Sequence, residues 1–205
     1  GLTAAGLMAL NGARQLLDRY EILESDLRES LNTPRGVIRI GSPPAFGAHH
    51  LVPLIARFVG LHPDIQFSLI FDDGDLKLIE QGLDLSIRIT PALQDSSYVA
   101  LPLTRAPQVL VAAPSYLSEH GTPRALADLE RHNCLVHSIK SPTGIWRFVG
   151  GDGEIPIRVR GTIFSNLGEA LRHAALLGHG ISVHPYYMVS EDLAAGRLVP
   201  VLTSH

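Results

Sequence analysis

The sequence predicts an α/β protein: one long helix followed by two βα subdomains of roughly 80–100 residues each. Three observations carry this expectation. A heptad spacing runs through the first thirty residues, a strand–helix alternation follows it, and that alternation then starts again near the middle of the chain. The bulk properties agree. The 205 residues are 45% hydrophobic and 18% charged, with mean hydropathy +0.16, which fits a well-packed globular chain and excludes a disordered one. A formal net charge of −3 excludes DNA binding by bulk charge. The single cysteine, Cys134, excludes a disulfide framework within the chain. No apolar run approaches the ~18 residues that would span a bilayer.

The predicted long helix covers Thr3 to Asn32. Leu2, Gly6, Ala9, Ala13, Leu16, Tyr20, Leu23 and Leu27 follow spacings of 4, 3, 4, 3, 4, 3 and 4, a heptad seam. The seam is small-sided at its start and large-sided later, which suits a partner helix approaching closely at the N-terminal end. Ala13, Leu16, Tyr20, Leu23 and Leu27 are therefore expected to form a dimerisation seam. The alternative is an amphipathic helix lying on its own domain. Thr3 is the expected N-cap, and Thr33-Pro34 ends the helix because a residue before proline avoids the α region. The chain opens on Gly1-Leu2-Thr3 with neither an initiator Met nor a basic segment before the apolar stretch, which reads as a fragment rather than a secretory signal.

Strands are expected at 37–41, 65–71, 85–89, 98–103 and 109–113, with a turn at 42–47, a helix following it to about Gly60 and a short helix at 75–81. In the second half, short helices are expected at 114–120 and 123–129 and a strand at 135–138. A Gly-rich hairpin follows, formed by 146–149 and 155–161. Then come a strand at 162–164, a helix ending at Gly178-His179-Gly180, a strand at 181–183, a helix capped by Ser190 and a last strand at 198–202. This rhythm implies mostly parallel sheets covered by helices.

The sequence holds no catalytic constellation. G-x-S-x-G, H-E-x-x-H and a P-loop are all missing. His49 and His50 would point about 100° apart on a helix, so they do not chelate as an i, i+4 pair. His132 and Cys134 have no second ligand pair nearby, and Cys134 reads as a small buried residue. Asp72-Asp73-Gly74-Asp75 lacks the terminal Glu of a calcium loop and reads as a turn capping the next helix. Ligand-binding chemistry remains. In open α/β sheets ligands sit at the carboxyl ends of strands beside helix N-termini. Ser42–Phe46, Thr90-Pro91, His137-Ser138 and Ser165-Asn166 occupy such ends, with the alternative that they only cap turns. Two subdomains facing each other through such ends would form a cleft.

Motifs spread over the whole chain resemble one family. Leu2-Thr3-x-Ala5-Gly6 with Ala13-Arg14-x-Leu16-Leu17 is similar to its linker helix. Val37-Ile38-Arg39-Ile40-Gly41 resembles its first effector-domain strand. Gly82-x-Asp84-Leu85-x-Ile87-Arg88-Ile89, Ala113-Pro114-x-Tyr116-Leu117, Gly178-x-Gly180-Ile181-x-x-x-Pro185 and Asp192-Leu193-x-x-Gly196-Arg197-Leu198-Val199 follow in order. These segments resemble a LysR-type transcriptional regulator without its winged helix-turn-helix domain.

The resemblance implies a periplasmic-binding-protein-like (type II) effector domain of two Rossmann-like subdomains behind a linker/dimerisation helix at 1–33. Subdomain I would comprise 36–103 and 188–205, and subdomain II 104–187. A small-molecule effector of unknown identity would contact Ser42, Pro44, Ala45, Phe46, Thr90, His137 and Asn166. The resemblance further implies a cytoplasmic homodimer or homotetramer that binds promoter DNA through the absent domain, has no membrane partner, metal or cofactor, and is not an enzyme. The first turn, Pro43-Pro44-Ala45-Phe46, offers fewer hydroxyls than many relatives, which implies a more apolar or aromatic effector or recognition through backbone N–H groups. Trp146 and Arg147 could add stacking or charge, against the alternative of a core Trp and a surface Arg. A solute-binding protein of a transport system shares the cleft architecture and is the rival expectation.

Overall fold

The computed structural model describes residues 3–27, 34–74, 77–90, 98–150 and 153–203. The chain divides into two compact units, residues 1–88 and 89–205.

The first unit opens with helix α1 (Ala4–Leu27). Thr3 caps it as expected: its hydroxyl accepts a hydrogen bond from the Gly6 amide at 3.2 Å. The predicted continuation to Asn32 falls on residues 28–33, outside those described, as do the side chains of Leu23 and Leu27. Leu2 lies outside them as well; among the described seam side chains Ala9, Ala13, Leu16 (71%) and Tyr20 (60%) are exposed. Leu7, Met8, Leu17 and Ile22 are exposed too, so α1 does not bury its apolar stripe on its own domain. One ion pair, Arg39 to Asp18 at 3.5 Å, ties it to the sheet.

That sheet has three parallel strands in the order β2-β1-β3: β1 (Gly36–Ser42) lies between β2 (Ile65–Phe71) and β3 (Leu85–Ser86). Ile40 and Ile65 are buried, and Phe58 packs edge-on to Phe67 at 5.8 Å. The expected turn at 42–47 holds a single helical turn, α2 (Pro44–Phe46), and the helix expected after it is a π-helical turn (Gly47–Leu51) followed by α3 (Val52–Leu61). Phe71 decides the identity of Gly47, because an added Cβ would overlap its ring. The expected helix at 75–81 is described only as α4 (Leu78–Gln81), since 75–76 lie outside the described residues. Asp72 closes its own turn, accepting from the Gly74 amide at 2.7 Å. The strand expected at 85–89 stops at Ser86.

The second unit is a five-stranded sheet in the order β10-β4-β9-β5-β8. Its strands are β4 (Gln108–Ala112), β5 (Cys134–His137), β8 (Phe164–Ser165), β9 (Ile181–Pro185) and β10 (Val199–Val201), and β6 (Ile145–Gly150) pairs with β7 (Gly153–Arg158) as a separate hairpin. The helices are α5 (Pro114–His120), α6 (Gly168–Leu176) and α7 (Tyr186–Ala194), with a 3₁₀ turn at Leu126–Arg131. Alternate side chains of the strands split the core in two. Val111, Ala113 and Leu135 meet Leu171, Ala175, Val189 and Leu198 from the α6/α7 side. Leu110, Ala112, Cys134 and Val136 meet Tyr116, Leu129, Trp146 and Phe148 on the other. Trp146 is therefore a core residue, and Arg147 is paired on the surface with Glu154 at 3.0 Å.

Three expectations need correction. The sheet is mixed rather than mostly parallel, because β4 runs antiparallel to both β9 and β10. Residues 98–103 form no strand: Val99, Leu101 and Leu103 are 98%, 80% and 70% exposed, and among the described residues no strand pairs with them. Helix α7 begins at Tyr186, so Ser190 lies inside it and donates to the Tyr187 carbonyl rather than capping. The register Val199↔Ala112 places β10 on β4, and Val189 and Leu198 are buried in the second unit's core.

Asn133 is the clasp of the second unit. Its amide donates to the Tyr116 hydroxyl (2.9 Å), and its side chain bonds the Thr162 amide (2.9 Å), the Thr162 hydroxyl (3.0 Å) and the His179 carbonyl. Its carbonyl accepts from Ile181 at 2.9 Å. Gly178, at φ 77°, makes the left-handed stop of α6 that lets this loop close.

Candidate functional site

The residues expected to touch an effector fall into both units. In the first, β1 delivers Ser42 to its carboxyl end, fully buried, where its hydroxyl donates to the Pro43 carbonyl at 3.2 Å. Pro44, Ala45 and Phe46 form the single turn α2, with proline at N1 where its missing N–H costs nothing. The Phe46 ring stands 5.3 Å from that of His50. A π-helical turn follows immediately, a distortion frequent at functional sites.

In the second unit, Thr90 is exposed just after the unit's start. The register His137↔Ser165 sets the ends of β5 and β8 side by side, with Asn166 the residue that follows β8 at that end. His137 is half-buried, and its Nδ1 accepts from the Lys140 amide at 3.4 Å. Asn166 is exposed.

Sequence reasoning missed the polar pair beneath this end. Ser182 Oγ lies 2.8 Å from His184 Nε2, and both residues are buried. Two polar residues at i and i+2 in a β-strand share one face, so Ile181-Ser182-Val183-His184 carried the signal. Burial pushes the His184 imidazole down to about 3, and Arg172, Lys140 and His137 add to this more than the nearby Asp192 offsets it. It also missed the network behind the pair. Asp192, 1% exposed, holds Arg172 at 2.5 Å and Arg197 at 2.6 Å, and Arg172 also binds Glu169 at 3.2 Å.

His132 lies on the other side of the sheet. The Tyr116 hydroxyl accepts from the Asn133 amide at 2.9 Å and shares a hydrogen bond with His132 Nδ1, 3.1 Å away. Burial lowers the His132 pKa; Asp128 opposes this and His120 assists it. A histidine whose folded pKa lies below its unfolded value of about 6.5 binds fewer protons folded than unfolded, so stability is lost as pH falls below that value. Both His132 and His184 have this sign. The urea midpoint of the second unit is expected to fall between pH 7 and pH 5, and less steeply in His184→Gln; a flat profile would contradict the lowered pKa values. Cys134 is inert, its thiol pushed up to about 12 by burial. Among the described residues no three His, Cys, Asp or Glu side chains group to hold a metal ion, and no helix is long and apolar enough to cross a membrane.

Each α/β unit carries polar side chains at the carboxyl ends of its strands, the position where open α/β sheets hold ligands. The LysR substrate binding domain profile matches residues 31–205. The HTH-type transcriptional activator TtdR of Escherichia coli (strain UTI89 / UPEC) is 35% identical over 205 residues, covering all of this chain and 66% of that protein. The regulatory domain of CrgA, a LysR-type transcriptional regulator from Neisseria meningitidis, superposes with TM-score 0.73 at 32% identity over 83% of each chain. The full-length Vibrio cholerae virulence activator AphB does so with TM-score 0.75 at 27% identity, over 99% of this chain and 69% of its own. This chain belongs to the LysR substrate binding domain family, and its fold is the type II periplasmic-binding-protein-like effector domain. It spans about 66% of the length of the first curated relatives it matches.

Proposed function

We propose that this chain is the effector-sensing and self-associating part of a bacterial, cytoplasmic LysR-type DNA-binding transcriptional regulator. The family match over residues 31–205, among relatives named as HTH-type regulators, carries this reading. A small organic effector binds Ser42, Pro44, Ala45 and Phe46 at the end of β1 and Thr90, His137 and Asn166 in the second unit. Its binding alters the geometry of a dimer or tetramer joined through α1, and promoter DNA is bound by a helix-turn-helix domain outside these residues. The domain binds its effector without turning it over and uses no cofactor. A transport protein would share the fold, but the exposed apolar seam of α1 favours a self-associating regulator.

A thermal-shift screen of small carboxylates and aromatics finds the effector: at 100 times its dissociation constant a ligand adds about 2.7 kcal/mol. Phe46→Ala and Asn166→Ala should each weaken that ligand's binding about tenfold or more by calorimetry, while sedimentation shows the assembly intact. Unaltered affinity in both variants would refute the site.

A further inference from the structure

Helix α1 is held to its own unit by little apart from charge. Of residues 8–22 only Asn11, Gly12 and Asp18 are half-buried, and none is fully buried. At about 100° per residue Asn11 and Asp18 share one face of the helix, and the seam of Ala9, Ala13, Leu16 and Tyr20 lies on the opposite one. Among the described residues the one ion pair between α1 and the sheet leaves that polar face: Asp18 Oδ1 lies 3.5 Å from Arg39 Nη1. Arg39 is fixed in turn by the residue just before β3. The Asp84 carboxylate accepts from the Arg39 amide at 2.7 Å, and the Asp84 amide donates to the Arg39 carbonyl at 2.9 Å. Strand β1 is the middle strand, so it moves with the sheet. It carries Arg39 three residues before Ser42, where the proposed effector turn begins.

We propose that Asp18, Arg39 and Asp84 form a latch that orients α1. The latch turns the polar face of the helix to the sheet and presents the apolar seam to a second copy of the chain. The proposal rests on reading α1 as the self-associating helix and adds what sets the orientation of that helix. An exposed ion pair contributes little stability. A weak latch is what a switch requires, because a small displacement of β1 is enough to release it. Once released, the helix rolls, and a partner binds only the fraction of molecules whose seam still faces outward, so the apparent affinity falls by that fraction. Screening by salt weakens the ion pair and leaves apolar contact along the seam untouched. The latch therefore gives self-association a salt dependence that the seam alone does not have.

Two measurements on the 205-residue chain test the latch. Spin labels at Gln15→Cys on α1 and Gln66→Cys on β2, both exposed, report the helix orientation by double electron–electron resonance. Cys134 is buried, its thiol pushed up to about 12, so it stays unlabelled. Labelled chains are diluted into excess unlabelled chain, so that only distances within one molecule are read. One narrow distance distribution is expected, kept in Asp18→Glu and broadened in Asp18→Lys. By sedimentation, Asp18→Asn should associate about tenfold more weakly at an unchanged melting midpoint. Raising NaCl from about 50 mM to about 500 mM should weaken the unaltered chain by a similar factor and leave Asp18→Asn where it was. A distribution that stays narrow in Asp18→Lys would overturn the latch, as would full association in Asp18→Asn. The resonance measurement needs no assembly. The expected distributions beside a mass that never exceeds the monomer's would uphold the latch and overturn the self-associating reading alone.

Discussion

Asp192→Ala should lower the stability of the second unit by about 3–5 kcal/mol, the cost of removing one partner from a buried ion pair. The carboxylate of Asp192 is 1% exposed and touches two guanidiniums, from Arg172 on α6 and from Arg197 beyond α7. Arg197 is half-exposed and can rehydrate. Arg172 is only 16% exposed and would keep Glu169 alone. The Asp192 backbone carbonyl also accepts from the Arg197 and Leu198 amides, so the loss of the side chain loosens the turn that returns the chain to β10. Thermal unfolding followed by circular dichroism should show a drop of order 10 °C. Asp192→Asn should fall between the wild type and the alanine variant, because the amide keeps an acceptor but not the charge. A change under about 1 kcal/mol in Asp192→Ala would mean the network adds little.

Leu16→Asp should weaken self-association by two orders of magnitude or more, on the order of 3 kcal/mol, because it sets a charge into an apolar seam. Leu16 and Tyr20 are exposed in the isolated chain, so the substitution costs nothing within one molecule and all of its effect falls on assembly. That separates it from a folding defect. Sedimentation should move toward the monomer mass while the melting midpoint at low concentration stays put. An unchanged mass would remove α1 from the interface.

Much of this molecule was readable in advance because its elements announce themselves locally. The heptad seam, the Thr3 cap and the Gly178 stop depend on residues within a turn or two of one another. The runs at 36–42, 65–71 and 134–137 are apolar enough to be strands in any topology. What could not be read depends on partners distant in sequence. Residues 98–103 have strand composition but meet no partner strand, and a lone extended segment is not a strand. The placement of 199–201 on β4 follows from tertiary packing, to which local pattern is blind. The π-helical turn at Gly47–Leu51 is invisible for the same reason, since Phe71 imposes the close approach. At the candidate site, His137 and Asn166 were legible as strand-end residues. Asp192 was read as part of a terminal motif, and its burial between two arginines requires α6 and α7 to be packed together.

The sheet order of the second unit has a consequence for how the protein is made. Strand β4 sits between β9 and β10, so Leu110 waits for Val183 and Val201 before its ladders close. During synthesis the first unit's strands, all within residues 36–86, can pair as soon as they emerge. The second unit must hold an apolar strand open until nearly all of its own residues have been added. Long-range closure of this kind is slow and exposes an unpaired edge meanwhile. In a pulse-labelled refolding experiment, amide protection should rise first at Ile40 and Leu69 and last at Leu110 and Val111. Early misassociation of nascent chains should then map to β4.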